Sequence, residues 1–393
     1  MDVLLVLNPM YPKRDHNSNI IMKLVPFWSS GSQIKVISEG KRNSKEHFPK
    51  FVDKTPIKFI NVNKIEKAII NILKHFKNEG DLTYLLIHFK MKFHVLLSSR
   101  NKQVILSTYM KLDPPYITSK INRKCVKALY LMDPTDAMVY ENKTVTDESS
   151  VFLDMLKNYD VIFTTPFIND AMTKKGYAPY IKRVSEISFP MITGFDNTMS
   201  KDDDGKIKLL FCGVMYSDIR SPEYLLKIIS RLDERFVISF IGIHCEHMIK
   251  SFNIKTDAQI ITHPPIDYEK IKQVIADSDI LINIGNSVPV HIPSKTLEYI
   301  NTGKPFVNFY KFDECPTLHY TRSYPLCLNI NEQDTDLESA TRRFIDFCTS
   351  TKGKKLDKEW ILKNYKDCTP NVIAKHIEDT CLNIYDQKYN SHK

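Results

Sequence analysis

The amino-acid sequence predicts an α/β protein of two doubly wound parallel sheets facing a central cleft, and three observations predict it. Short apolar segments without polar alternation recur along the chain, helical segments separate them, and the pattern stops near residue 190 and then restarts. Strands of a parallel sheet read as unbroken β-branched and aromatic runs because helices cover both faces. At 393 residues the chain is also longer than one ordinary core supports.

In the first half, strands are expected at 3–7, 34–38, 57–62, 84–88 (YLLIH), 104–108, 129–132 and 161–165. KIEKAIINILKHF at 64–76 has apolar residues at helical spacing and suits a crossover helix. Around 190–205 a proline, two glycines and an acidic run without periodicity read as a linker, giving domains 1–195 and 196–365. Beyond it, strands are expected at 207–213, 236–243, 259–263, 280–285 and 305–310. Helices are expected at 221–232, 246–252 and 267–278, with a short one between the last two strands. The tail at 359–387 is helical in pattern and interrupted before Pro370. It is either a terminal cap or a helix that crosses back to the first domain.

Charge is unevenly placed. Residues 1–190 hold 29 Lys and Arg against 18 Asp and Glu, a net +11, while residues 191–393 hold 26 against 28, a net −2. A field of this kind favours an anionic partner for the first half: a membrane surface, a phosphorylated lipid or nucleic acid. No apolar run approaches a membrane span, and MDVLLVLNPM, with an acidic second residue and no basic flank, reads as a strand rather than a signal peptide. Eight scattered cysteines without a Cys-x-x-Cys pair suggest reduced, buried thiols in a cytosolic protein.

The most informative stretch is HIPSKTLEYINTGKPFV at 291–307. Pro293 suits the first helical position, and Ser294 and Lys295 stand where free backbone N–H groups and the positive dipole end favour phosphate. Glu298, one turn on, is suited to accept hydrogen bonds from vicinal hydroxyls such as a ribose. Gly303 closes the helix. The plain alternative is an ordinary capped helix. A second stretch, LFCGVMYSDIRSPEYLL at 210–226, ends a strand at Gly213 and places Arg220 ahead of a helix with Ser221 as N-cap. An arginine there could fork onto a diphosphate.

Together these stretches resemble the donor-binding half of GT-B glycosyltransferases, in particular the retaining glycosyltransferase family 4. Residues 206–310 carry the pattern nearly in full, and 293–305 is its most specific part. The resemblance implies two Rossmann-like domains, with 366–393 forming a C-terminal helix that packs back on the first. It implies that Arg220 and Lys295 neutralise a donor diphosphate, that Glu298 holds the ribose, and that Gly213, Ser294 and Thr296 also meet the donor. Pro265 and Ile266, in the HPPI loop, would flank the base, expected to be uracil. The sequence departs from the family in two places. Val290 stands where a second glutamate usually contacts the sugar, leaving Asn286 and His291 as candidate sugar or acceptor contacts. Met132 stands where a histidine is common, leaving Asp133 of YLMDPTD as the catalytic candidate, a base or an orienting group. His16, beside Asp15 in the loop after the first strand, is a further candidate contact.

The implied activity is metal-independent transfer of a hexosyl unit, with retention, from a UDP-linked sugar to a glycan, lipid-linked or protein acceptor in polysaccharide biosynthesis. The nucleotide sugar is a cosubstrate, and no metal or other cofactor is implied. Expected partners are an anionic or lipid-linked glycan and, through the basic first domain, the inner face of a membrane; nucleic acid is not among them. The rival is a non-catalytic GT-B-fold protein that stabilises or targets another transferase. Val290 and Met132 favour it, and the intact Arg220–Lys295–Glu298 set argues against it. A sugar-nucleotide epimerase on the same fold would need a first-domain acid/base pair that is not evident. NTGKP lacks the remainder of a phosphate loop, Gly-x-Gly-x-x-Gly is absent, and HCEH at 244–247 lacks zinc-ligand spacing. HFKMKFHVLLSSR at 88–100 reads as an amphipathic helix, with a lipid headgroup or an anionic glycan as a second use.

Overall fold

The computed structural model describes residues 1–7, 16–28, 33–39, 55–73, 78–109, 112–194, 204–266 and 268–390. It contains two compact units, Met1–Pro190 together with Asp367–Lys393, and Met191–Lys366. The proposed linker lies mostly outside the described residues, as does Asp15.

The first unit holds a seven-stranded sheet of β1 (Val3–Leu7), β2 (Ile34–Glu39), β3 (Ile57–Ile60), β4 (Val104–Thr108), β5 (Val126–Leu131), β6 (Val161–Thr164) and β7 (Val184–Glu186). Its order is β3-β2-β1-β4-β5-β6-β7 with every pairing parallel. All five residues of β1 and of β4 are buried, as expected of strands covered on both faces. Leu4, Val6, Ile37, Ile105 and Ile117 form a core with Met91 and Val95 of the long helix Glu79–Ser98. Each fully buried side chain of this kind contributes roughly 1.5–3 kcal/mol.

The segment YLLIH at 84–88, expected as a strand, lies inside that helix. No glycine or proline interrupts the chain from Asp81 to Ser98, and Asn78 caps the start by accepting from the Gly80 N–H at 2.7 Å. A short apolar run within so long an unbroken segment follows the helix.

The chain's last helix, Pro370–Tyr389, packs on the first unit, burying Ile373, Ala374, Ile377 and Cys381. Lys388 Nζ donates to Asp160 at 2.8 Å, Tyr389 Oη to the Cys125 carbonyl at 3.2 Å, and the amino terminus to Glu378 at 3.4 Å. Thr369 precedes it at the N-cap and Pro370 takes the first position, where its missing N–H costs nothing.

The second unit holds β8 (Ile207–Cys212), β9 (Phe236–Ile241), β10 (Gln259–His263), β11 (Ile280–Ile284), β12 (Phe306–Tyr310) and β13 (Cys327–Asn331). The order is β10-β9-β8-β11-β12-β13, again all parallel. Phe211, Ile229, Phe240, Ile282, Phe309 and Phe344 anchor its core. In both sheets the order reverses between the first and fourth strands. Ligands of open α/β sheets bind in the crevice outside the carboxyl ends at that point, so for the second unit the place to look is above β8 and β11.

All eight cysteines are free, seven of them buried. No described helix is long and apolar enough to cross a membrane.

Candidate functional site

The carboxyl ends of β8 and β9 meet at two glycines. Gly213 N–H donates to Ile241 O at 3.0 Å, and Gly242 N–H to His263 O at 3.1 Å. Gly242 has φ +144°, and a Cβ built there would stand 1.7 Å from Gly213 O. Only glycine allows this close approach. At Gly213 itself a Cβ would lie 3.4 Å from Phe211 and 3.8 Å from Arg220 Nη1, so a larger side chain there would grow toward the guanidinium.

The loop after β8 is closed on itself: Tyr216 and Arg220 exchange backbone hydrogen bonds of 3.3 and 3.2 Å. It is also tied to the loop after β11, where Ser287 N–H donates to Ile219 O at 2.8 Å and Ser287 Oγ to Asp218 O at 2.9 Å. Arg220 is half-buried rather than an exposed arginine ahead of a helix. Its Nε and Nη2 donate to Asn286 Oδ1 at 3.0 and 2.7 Å, and Nη1 donates to Val214 O at 3.3 Å. Because the guanidinium has only donors, Asn286 must turn its oxygen toward it, which leaves Nδ2 to donate to His291 Nδ1. Burial lowers the Arg220 pKa, with nearby Tyr216 and Tyr299 opposing the shift. Arg220, Asn286 and His291 therefore form one hydrogen-bonded row across the β8/β11 crevice.

The helix expected after β11 runs Ser294–Thr302. Pro293 takes the N-cap instead of the first helical position: ψ of 120° keeps it extended, and its carbonyl accepts the Thr296 N–H at 3.0 Å. Thr296 is fully buried and its Oγ1 has no hydrogen-bond partner. Buried polar atoms are rarely left so, which marks this first turn. Lys295 Nζ and Glu298 form an ion pair on one side of the helix, each about a quarter exposed. The two expected donor contacts are thus joined to each other rather than standing apart. Both act on the Cys212 thiol at the end of β8, where burial raises its pKa, Lys295 lowers it and Glu298 raises it. Tyr299, fully buried, accepts the Cys212 N–H at 3.2 Å and locks the helix to β8.

Two further expectations are adjusted. The helix after Arg220 runs Glu223–Ile229, with Pro222 at the N-cap; Ser221 Oγ still accepts the Glu223 N–H, at 3.3 Å. Lys304 is buried and donates to the carbonyls of Ala276 and Ser278 at 2.8 and 2.5 Å. It caps the end of the helix Tyr268–Asp277. Pro265, exposed, and Ile266, half-buried, follow β10, two strands away from β8. His16 begins the helix His16–Met22, but its side chain is outside the described residues.

In the sequence His244 stands out only as part of HCEH, which lacks zinc-ligand spacing. It follows β9 in the left-handed region at φ +64°, with its ring 6.4 Å from that of Tyr216. Left-handed non-glycine residues cluster at ligand sites, and the carboxyl-edge position together with HCEH was the available signal. Among the described residues no three His, Cys, Asp or Glu side chains gather as a metal site.

In the first unit, Asp133 follows β5 and lines a cavity of about 410 Å³ with Tyr109, Thr135, Asp136, Lys143 and Glu148. Lys143 donates to Asp136 at 3.1 Å, and Tyr177 Oη donates to Glu148 at 2.8 Å. Burial, then Glu148 and Asp136, push the Tyr109 phenol up to about 12. Asp147 completes an acidic lining, so the basic excess of residues 1–190 does not face this cavity. Met132, beside Asp133, is buried.

No protein-family model matches the chain, and no curated protein matches it by sequence. Solved structures do match over the whole length. Sucrose-phosphate synthase from Thermosynechococcus elongatus is 11% identical with TM-score 0.61, covering 98% of this chain and 100% of that one. A protein described as trehalose-6-phosphate from E. coli, bound with UDP-2-fluoro glucose, is 10% identical with TM-score 0.62, covering 98% and 99%. Anabaena Alr3699/HepE in complex with UDP is 10% identical with TM-score 0.58, covering 100% and 99%. These neighbours are GT-B glycosyltransferases. The chain shares their fold.

Proposed function

We propose that this chain is a glycosyltransferase that moves a hexosyl unit from a UDP-linked sugar to a hydroxyl of a glycan or lipid-linked glycan, with retention, as in glycosyltransferase family 4. The observation that carries the reading is the convergence, at the switch point of a GT-B-like donor sheet, of Arg220, the Asn286–His291 pair and the first turn of Ser294–Thr302. Free N–H groups, a dipole and two cations suit a diphosphate there. Uridine as the base follows two similar structures described with UDP or a UDP sugar.

In the reaction the bond from the anomeric carbon to the diphosphate oxygen breaks, and one from that carbon to the acceptor oxygen forms. Arg220, Lys295 and the helix terminus stabilise the charge that collects on the departing diphosphate, and this field works without a divalent ion. Lys295 exchanges part of its bond to Glu298 for phosphate, freeing the carboxylate to accept from the ribose. Asn286 holds Arg220 and presents His291 to the sugar. Asp133 takes or orients the proton of the acceptor hydroxyl, and the carboxylates around it accept hydrogen bonds from a polyhydroxyl acceptor.

Val290 and Met132, which the resemblance sets where glycosyltransferase family 4 usually has a glutamate and a histidine, are both buried, and this favours the second reading of a non-catalytic GT-B partner protein. A panel of nucleotides and nucleotide sugars separates the two. A transferase is stabilised by UDP and slowly hydrolyses one UDP-sugar even without acceptor. A partner protein releases no UDP from any donor offered.

A further inference from the structure

Of the sixteen large apolar side chains that are exposed among the described residues, ten fall between residues 65 and 97. They belong to two neighbouring helices of the first unit, Lys64–Leu73 and Glu79–Ser98, which Lys90 joins by donating to Glu66 at 2.8 Å and to the Asn61 carbonyl at 2.6 Å. The long helix is apolar on two opposite sides. Met91 and Val95 enter the core, while Leu85, Phe89, Phe93 and Leu96, spaced three and four apart, face out, with Phe89 68% exposed. On the shorter helix Ile65, Ile69 and Ile72 form a second outward stripe. Solvent alone gives no reason for an outward face of this composition.

The charges beside it are positive. Exposed Lys92 lies on the long helix three residues on from Phe89, and exposed Arg100 lies just beyond the helix's C-cap, Ser99. Burial first, and then Lys58, Lys90 and Lys35, hold the imidazole of His94 on the same helix below its ordinary value. The described acids around these helices are already engaged or stand at the far end: Glu66 pairs with Lys90, Asp113 accepts from Tyr84 Oη at 2.6 Å and meets His88 at 3.2 Å, and exposed Asp81 lies in the first turn of the long helix, away from Lys92 and Arg100.

We propose that this two-helix face docks on an anionic lipid bilayer, with Phe89, Phe93 and the isoleucine stripe entering the interface and Lys92 and Arg100 meeting lipid phosphates. Aromatic and aliphatic side chains bordered by lysine and arginine suit the boundary between headgroups and acyl chains. Charge decides against a second copy as occupant, since two copies would press like-charged faces together. The inference goes beyond the glycosyltransferase reading and does not depend on it.

The test is co-flotation of the full chain with vesicles of phosphatidylcholine alone or mixed with phosphatidylglycerol. Binding should require the anionic lipid and weaken as salt rises. Phe89→Ser with Phe93→Ser should weaken it by at least about tenfold, and Lys92→Glu with Arg100→Glu by several-fold with a shallower salt dependence. Both variants should keep the wild-type melting temperature and any stabilisation by UDP, because the replaced side chains are exposed. Failure to float with anionic vesicles, or binding that the Phe89 and Phe93 changes leave intact, would overturn the proposal. So would sedimentation showing a wild-type dimer that these changes dissociate, which would make the face a contact between copies.

Discussion

The two sheets share one strand order through their first six strands, yet their carboxyl edges carry opposite chemistry. Above β8 and β11 stand a hydrogen-bonded arginine, a lysine and a helix terminus with a buried, unpartnered threonine hydroxyl. Above β5 lies a cavity lined by four carboxylates and one lysine. The lesson is that topology gives the place of a site and the loops give its charge. The edge above β5 suits groups that donate hydrogen bonds, such as sugar hydroxyls, and the edge above β8 and β11 suits a diphosphate. Overall net charge would have misled, since the unit with the basic excess carries the acidic cavity and wears its positive charge elsewhere.

The comparison breaks most visibly if the acidic edge is blunted. Asp133→Asn should lower transfer by about 10²–10⁴-fold while leaving UDP affinity unchanged in calorimetry. A parallel loss of UDP affinity would mean that the two edges are not chemically separate. Next in size, Gly242→Ala forces a methyl onto Gly213 O and should cost the second unit about 3 kcal/mol, read in denaturant unfolding. The unit carrying Asp133 should unfold as before.

Lys304 gives a pH signature confined to the second unit. Burial lowers its pKa from 10.5 to about 8, so between those values the unfolded chain binds the proton more tightly than the folded one. The contribution of Lys304 to that unit's stability should therefore rise as pH goes from about 8 to 10.5, by at most about 3 kcal/mol, while the buried thiols, whose pKa values are raised, work against it above about pH 9; the rise is read as the difference between the wild-type chain and Lys304→Met. The smallest effect sharpens the role of the ion pair. Glu298→Gln should weaken uridine more than inorganic pyrophosphate, by roughly 1 kcal/mol, because it keeps Lys295, released from its ion pair, and trades a carboxylate that can accept from both ribose hydroxyls for a neutral amide with one accepting oxygen.

Much of the architecture was legible because buried parallel strands have a plain signature. VLLVL, VILST and ILINI are uninterrupted apolar or nearly so, and all three are buried throughout. YLLIH has the same composition, but it sits in a helix with two apolar sides, and local composition cannot separate those cases. β7 has only three residues, and CLNIN of β13 carries Asn329, which joins a buried polar network with Asn308 and Thr321. Neither looks like a core strand in isolation.

At the site, Arg220, Asn286 and His291 were each visible as residue types that suit the chemistry. That one asparagine joins the other two was not, since the link spans 66 residues between Arg220 and Asn286. Lys295 and Glu298 were legible as neighbours on a helix, but their pairing depends on rotamers. Gly242 was missed because its requirement comes from the backbone of Gly213, a contact that no local pattern encodes.

The central claim is that the β8/β11 crevice is a diphosphate seat. Isothermal titration of UDP, UMP and uridine into the wild-type chain and Arg220→Ala tests it most directly. The account predicts that UDP binds more tightly than UMP and uridine, and that Arg220→Ala removes roughly 1.5–3 kcal/mol of UDP affinity while leaving uridine unaffected. UDP binding no tighter than uridine, or unaffected by the loss of the guanidinium, would contradict it.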